Sequence, residues 1–205
     1  MKEDSSTKCW NQASNEWCEQ AETGDEHRTH FIMPYTLEWL GDVSGKKVLD
    51  LGCGEGGYSR ELAIKNAKVV AVDCAEYSIE YAKRKASENG LNIEHYIRNS
   101  NDLYGMEDHC FDIVLCSMVL MDCEDFYGTI SEIARVLKPS GKLYASVLHP
   151  CFNGNHDEGI GRQDTGINRK VVIKNYFYPT EWEELTRNGA AIIWRHRTLQ
   201  DYVKA

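Results

Sequence analysis

Apolar positions recur along this chain in two rhythms. Before residue 45 they fall at helical spacing; from 46 to 148, short continuous apolar runs alternate with amphipathic stretches. Residues 1–30 are polar and rich in Glu, Asn and Ser, with Trp10 and Trp17 seven apart. That spacing predicts a helix packing one face on the rest of the molecule, as a structural element or as a lid. Residues 31–40 predict a second helix, with Phe31, Tyr35 and Trp39 at steps of four, and Gly41 and Gly45 then punctuate a turn.

The runs at 46–52, 67–73, 93–99, 111–117 and 142–148 predict five strands. Continuous apolar runs of this kind suit parallel strands covered on both faces. Helices are expected at 57–66, at 78–89 with Ile79, Ala82 and Ala86 inward, and at 125–137 with Phe126, Ile130, Ile133 and Leu137 on one face. KPSG before the fifth run predicts a turn. Strand and helix alternating in this way predict an α/β fold: a doubly wound, Rossmann-like, mainly parallel sheet with helices on both faces. After His149 the regularity fails. Residues 151–170 read as loop, 171–179 and 190–198 as two strands around a short helical segment at 181–187, and LQDYVKA as the first turns of a helix. The expected organisation is an N-terminal helical cap (1–40), an α/β core (41–150), and a C-terminal lid hairpin with the start of an incomplete part (151–205).

Composition narrows the function classes. Apolar residues make up 42% and charged residues 27%, an ordinary globular balance. The net charge of −9 disfavours nucleic acid as a partner, and KRK at 83–85 reads as a solvated helix face. No apolar run reaches the roughly 18 residues of a membrane helix, so no membrane partner is expected. The first residues, MKEDSSTKCWNQ, lack the apolar stretch of a secretory signal. Eight cysteines at irregular spacings, with no C-x-x-C, read as reduced thiols in a cytoplasm. His149, Cys151, His156 and Asp157 match no standard metal spacing, so no metal is expected.

VLDLGCGEGGYSRELA follows the first strand and opens a helix. Gly52, Gly54 and Gly56 let the main chain approach a ligand at a strand's carboxyl end, beside a helix N-terminus. Asp50 lies inside the strand end, either facing the ligand or bracing the loop. Asp73 ends the second strand, where a carboxylate can accept from ribose hydroxyls or cap the next helix. A dinucleotide loop reads G-x-G-x-x-G; here it reads G-C-G-E-G-G after some 45 residues of helical sequence, which favours S-adenosylmethionine over NAD.

With these motifs in order, the chain resembles a class I S-adenosylmethionine-dependent methyltransferase. VLDLGCGEG is similar to the family's first motif, AVDCAEYSIEYAK to its second, FDIVLCSMVLMD to the fourth-strand motif, and EIARVLKPSGKLYASV to the helix, turn and fifth strand. HPCF (149–152), NYF (175–177) and HRTLQDY (196–202) resemble, less closely, a subgroup acting on small molecules. The resemblance implies that Asp50, Gly52, Cys53, Gly54, Glu55 and Gly56 face the methionine moiety and that Asp73 and Cys74 flank the ribose. It also implies that Ser100, Asn101 and Leu103 border the adenine, and that Cys116, Ser117 and Met118 floor the sulfonium. The family often carries an acid where Ser100 stands, in a G-D-A-x-x-L-P pattern; here the stretch reads N-S-N-D-L-Y-G, which leaves Ser100, the Asn101 side chain or Asp102 to read an adenine amino group. The family's sheet has seven strands. Only five are clear here; residues 171–178 and 190–197 either take the places of the last two or, as the stronger expectation, form a lid hairpin over the substrate, with the last two strands absent. An open sheet edge would then favour a homodimer.

The function implied is methyl transfer to a small-molecule acceptor by in-line displacement, releasing S-adenosylhomocysteine. A hydroxyl or ammonium acceptor must lose a proton, and His149, just past the fifth strand, is the leading base, with Tyr176 and His196 as alternatives. Phe152, Tyr176, Phe177, Tyr178, Trp182 and Trp194 wall an acceptor pocket or pack a lid. Trp10, His27, Arg28 and Tyr35 are candidates to close over the cofactor, Arg28 by pairing with its carboxylate or else in a surface ion pair. The competing readings are a cofactor-binding sensor or scaffold without turnover, and an NAD-linked oxidoreductase.

Overall fold

The computed structural model describes residues 3–152, 173 and 175–205. Helix α1 (Ser5–Gly24) leads through a π-helical turn (Arg28–Ile32) into α2 (Met33–Leu40). The core follows as β1 (Lys47–Leu51), α3 (Gly57–Ile64), β2 (Lys68–Asp73), α4 (Glu76–Glu88), β3 (Glu94–Ile97), β4 (Phe111–Ser117), α5 (Phe126–Val136) and β5 (Leu137–Ser146). A hairpin of β6 (Thr180–Leu185) and β7 (Ala191–His196) and helix α6 (Leu199–Lys204) complete the described chain.

The five core strands form one parallel sheet in the order β3-β2-β1-β4-β5. Alternate side chains of each strand feed opposite faces. Leu49, Leu51, Val70, Val72 and Val114 pack under Phe126, Ile133 and Val136 of α5. Val48, Val69, Ile113 and Leu115 pack against Leu40, Tyr58 and Leu62 of α2 and α3. Ile79 of α4 packs on Ala71 and Cys53. The doubly wound sheet expected from the apolar runs is therefore present, with helices on both faces.

Several local expectations are corrected. The segment 181–187, read as helical from its Glu and Leu content, lies in β6 for most of its length. Pairing with β7 overrides local propensity: Trp182 stacks on Trp194 across the strands at 6.5 Å between ring centroids, and Glu181 pairs with Arg195 at 3.4 Å. The strand expected at 171–179 is displaced, since β6 begins at Thr180 and 175–178 is turn and bend; residues 171, 172 and 174 lie outside the described residues. The hairpin pairs with itself and not with the large sheet. KPSG falls within the span of β5 as an irregularity, between the pairs Phe111↔Leu137 and Ile113↔Lys142. The inward face of α1 is not its tryptophans. Trp10 and Trp17 pack edge to face on one another, with Trp17 43% exposed, while the small side chains of Ser6, Thr7, Ala13, Ser14 and Cys18 are buried.

Candidate functional site

Parallel strands deliver their carboxyl ends to one edge. β1 and β4 are neighbours whose connections depart toward opposite sides of the sheet, and a crevice opens at such a switch point. The glycine-rich loop fills the β1 side. Gly52 and Cys53 both donate to the Val72 carbonyl, at 2.8 and 2.9 Å. Gly52 has φ 72°, and a Cβ there would collide with Val119. Gly54 has φ 54°, with nothing within 4 Å of where a Cβ would stand. The first turn of the loop is thus packed from behind, and its second glycine borders open space.

Asp73 ties this loop to the end of β2. Its Oδ2 accepts from Gly54 N–H at 2.9 Å and its Oδ1 from Ala75 N–H at 2.8 Å. The residue at the helix cap is Ala75, so Asp73 braces the turn before α4. Burial raises its carboxyl above the usual range, against the pull of these main-chain donors. Asp50 is 2% exposed and accepts from Ser59 Oγ at 2.5 Å, joining β1 to α3; burial pushes it up to about 7.

Glu55 sits between two guanidiniums. Arg60 reaches its Oε2 at 2.6 Å and its carbonyl at 2.6 Å, and Arg28, from the π-helical turn, pairs with Oε1. Burial alone would raise the Glu55 carboxyl, but the two arginines together hold it below its ordinary value. Arg28 is therefore in a partly buried pair and not on the open surface. Its Nε–H is buried with no partner among the described residues.

Past β3, Asn99 is the buried side chain. Its amide donates to Asp4 Oδ2 at 2.8 Å and Thr7 Oγ1 at 3.1 Å of α1 and its cap. Ser100 shares its hydroxyl with Thr129 at 2.8 Å, Asn101 donates to Asp125 at 3.2 Å, and Leu103 is fully buried in the core. On the β4 side Cys116 is fully buried, Ser117 is half-buried, and Met118 has φ 61°, a conformation uncommon outside glycine. Cys53 is buried and Cys74 half-buried.

Helix α1 crosses this edge. Beyond Asn99, it binds the Asp122 carbonyl through Ser6 at 2.6 Å, Glu124 through Ser5 N–H at 2.7 Å, and Glu76 N–H through Asn11 at 3.2 Å. The hairpin locks it there. Arg195 donates to Ser5 Oγ, Ser6 Oγ and the Asp122 carbonyl, and Arg197 to the carbonyls of Leu120, Met121 and Cys123.

His149 lies just past β5, exposed, its Nδ1 accepting from Cys151 N–H at 3.2 Å and its ring 4.9 Å from Phe152. That bond requires the tautomer with the proton on Nε2. Tyr176 and His196 meet one another at the base of the hairpin: His196 Nε2 is 2.8 Å from the Tyr176 carbonyl, and the Tyr176 hydroxyl accepts from Leu199 N–H at 2.8 Å. His156 and Asp157 lie outside the described residues. Asn99, Asp122, Arg195 and Arg197 escape a reading of sequence, because nearly all of their partners are distant in the chain; the cap role of Asp4, before SSTK, and the pairing of Arg60 with Glu55, five residues apart, are local.

A sequence profile described as methyltransferase domain matches residues 42–181. The ubiquinone biosynthesis O-methyltransferase of Xanthomonas oryzae pv. oryzae is 31% identical over 139 residues, 66% of this chain and 57% of that protein. The chain thus spans somewhat over half the length of such curated relatives. A solved chain from Listeria monocytogenes, provisionally assigned as an S-adenosylmethionine-dependent methyltransferase, superposes with TM-score 0.69 at 26% identity, covering 83% of this chain and 79% of that one. An S-adenosylmethionine-dependent methyltransferase from Mesorhizobium loti shares the fold, with TM-score 0.70 at 22% identity over 83% of this chain and 76% of its own.

Proposed function

We propose, for a chain that belongs to the methyltransferase-domain family, that it moves a methyl group from S-adenosylmethionine to a small-molecule acceptor and releases S-adenosylhomocysteine. The observation that carries this reading is the join of Gly54 N–H to the Asp73 carboxylate across the carboxyl ends of β1 and β2, with open space beside Gly54.

The residues present suit that cofactor. Arg28 has a buried Nε–H without a partner, which fits a ligand carboxylate. Asp73 and Cys74 suit the ribose. Ser100, Asn101 and Leu103 suit the adenine edge, with Ser100 standing where the family often carries an acid. Asp50, Gly52, Cys53, Gly54, Glu55 and Gly56 shape the methionine end, Asp50 and Glu55 by bracing α3 and the two arginines. Cys116, Ser117 and Met118 floor the centre. When bound, the cofactor supplies a methyl activated by a positively charged sulfur with a good leaving group. The protein's part is then mainly alignment.

The names of the curated relatives support a hydroxyl acceptor on an organic ring. His149 is the base in this reading: the acceptor proton arrives on Nδ1 and displaces the Cys151 N–H. Tyr176 and His196 rank behind it, because His196 is buried and Tyr176 half-buried, whereas His149 is exposed. Exposed Phe152, Phe177 and Tyr178 offer an apolar wall. Residues 1–40 act as a cap and 151–205 as a lid over the core at 41–150. The eight free cysteines support a reducing, cytoplasmic setting, and the net charge of −9 disfavours nucleic acid as a partner. No described helix is long and apolar enough to cross a membrane. Among the described residues β5 ends the sheet with one side unpaired, which supports a homodimer.

The test is turnover of the purified chain with S-adenosylmethionine and catechol as probe, the methylated product read by mass. His149→Ala should lower kcat by roughly 10²–10⁴-fold with cofactor affinity unchanged. An equal loss of both would make His149 a positioning residue. Cofactor binding without methylation of any of a panel of phenols would favour the sensor.

A further inference from the structure

Four side-chain hydroxyls form a chain from β5 to α2. Ser146 Oγ lies 3.1 Å from Ser117 Oγ, Ser117 Oγ 3.3 Å from the Tyr58 hydroxyl, and the Tyr58 hydroxyl 3.4 Å from Thr36 Oγ1. Thr36 Oγ1 lies 2.9 Å from the Ile32 carbonyl.

The last link fixes the direction of the rest. A hydroxyl has one proton and two lone pairs, and a carbonyl oxygen only accepts. Thr36 therefore donates to Ile32, and Tyr58 can only donate to Thr36. Ser117 then donates to Tyr58, and Ser146 to Ser117. All four protons run away from the strand ends. Ser117 keeps one lone pair and Ser146 two, with no donor between them. Hydroxyls in such a chain polarise one another, which makes the terminal oxygens richer in electrons.

In the cofactor reading above, Ser117 floors the centre of the site, and Ser146 stands beside it. Ser117 and Ser146 are the last residues of neighbouring strands β4 and β5, both half-buried and so within reach of a ligand. Met118 N–H binds the Ser146 carbonyl at 2.9 Å and pins the two ends together. Tyr58 is 7% exposed, its ring packed with Leu40, Leu62 and Leu115, so it acts through Ser117. A sulfonium spreads positive charge over its attached carbons, which interact with oxygen lone pairs; the thioether left after transfer is neutral and gains little.

We propose that Tyr58 is a positioning residue which, through Ser117 and Ser146, makes the site prefer the sulfonium form of the cofactor over its thioether product. This rests on the S-adenosylmethionine reading above. The consequence is easier release of the spent cofactor.

Calorimetric titration of the full chain with S-adenosylmethionine and with S-adenosylhomocysteine tests it without an acceptor. Tyr58→Phe, which removes one oxygen, should lower the ratio of the two affinities about fivefold, with product affinity held within about twofold. Thr36→Val should reproduce the effect by removing the anchor, and Thr36→Ser should restore the ratio. Parallel weakening of both ligands, or an unchanged ratio, overturns the proposal. Wild-type protein that binds neither ligand overturns the cofactor reading and the proposal with it.

Discussion

The two oxygens of Asp73 each hold a main-chain N–H, from Gly54 and Ala75. A carboxylate offers about four acceptor sites, so bracing the loop and receiving ribose hydroxyls are compatible. Asp73→Ala should weaken S-adenosylmethionine by about 1–3 kcal/mol in a titration, the scale of hydrogen bonds to a charged group, and an unchanged affinity would leave Asp73 as a brace only. Residues of this kind were legible in the sequence because their partners are near in the chain and the glycine spacing is local. Asn99 was not, since its amide binds Asp4 and Thr7 more than ninety residues earlier. Glu55 lies in the loop as read, but its pairing with Arg28 depends on how the π-helical turn folds back, whereas Arg60 is only five residues away.

Among elements, the loop between β4 and α5 is held from above by α1 and from the side by the β6–β7 hairpin. Its Asp122 has a buried Oδ1 with no partner among the described residues, although Arg195 and Arg197 stand nearby and bind loop carbonyls instead. Burial outweighs the attraction of these arginines and pushes the Asp122 carboxyl up to about 7. A raised acid binds its proton more tightly when folded, so its contribution falls as pH rises from about 4 to about 7 and stays low above that. Asp122→Asn should therefore be more stable than wild type at pH 8, by about 1–3 kcal/mol, with the difference vanishing near pH 4. Denaturant melts at both pH values check this; an equal difference at both would mean that ionisation is not the cause. The central strands β1, β2 and β4 were readable because a parallel strand covered on both faces is a continuous apolar run. Residues 181–187 misled because a two-stranded hairpin is held by cross-strand partners, which local helix propensity does not record.

At the scale of the whole molecule, the order β3-β2-β1-β4-β5 places the glycine-rich loop, Asp73, Asn99, Ser117 and His149 along one edge, and α1 is laid across that edge. The sheet and its order of elements followed from alternating runs and right-handed crossovers. The path of α1 did not, because its inward face is small and polar, without the apolar stripe that marks a packed helix. What this edge binds decides the function. Calorimetric titration of the purified chain with S-adenosylmethionine and S-adenosylhomocysteine, with NADH as control, addresses it directly. Micromolar binding of the first two and none of NADH is the predicted result; binding of NADH alone, or of none of the three, would contradict it.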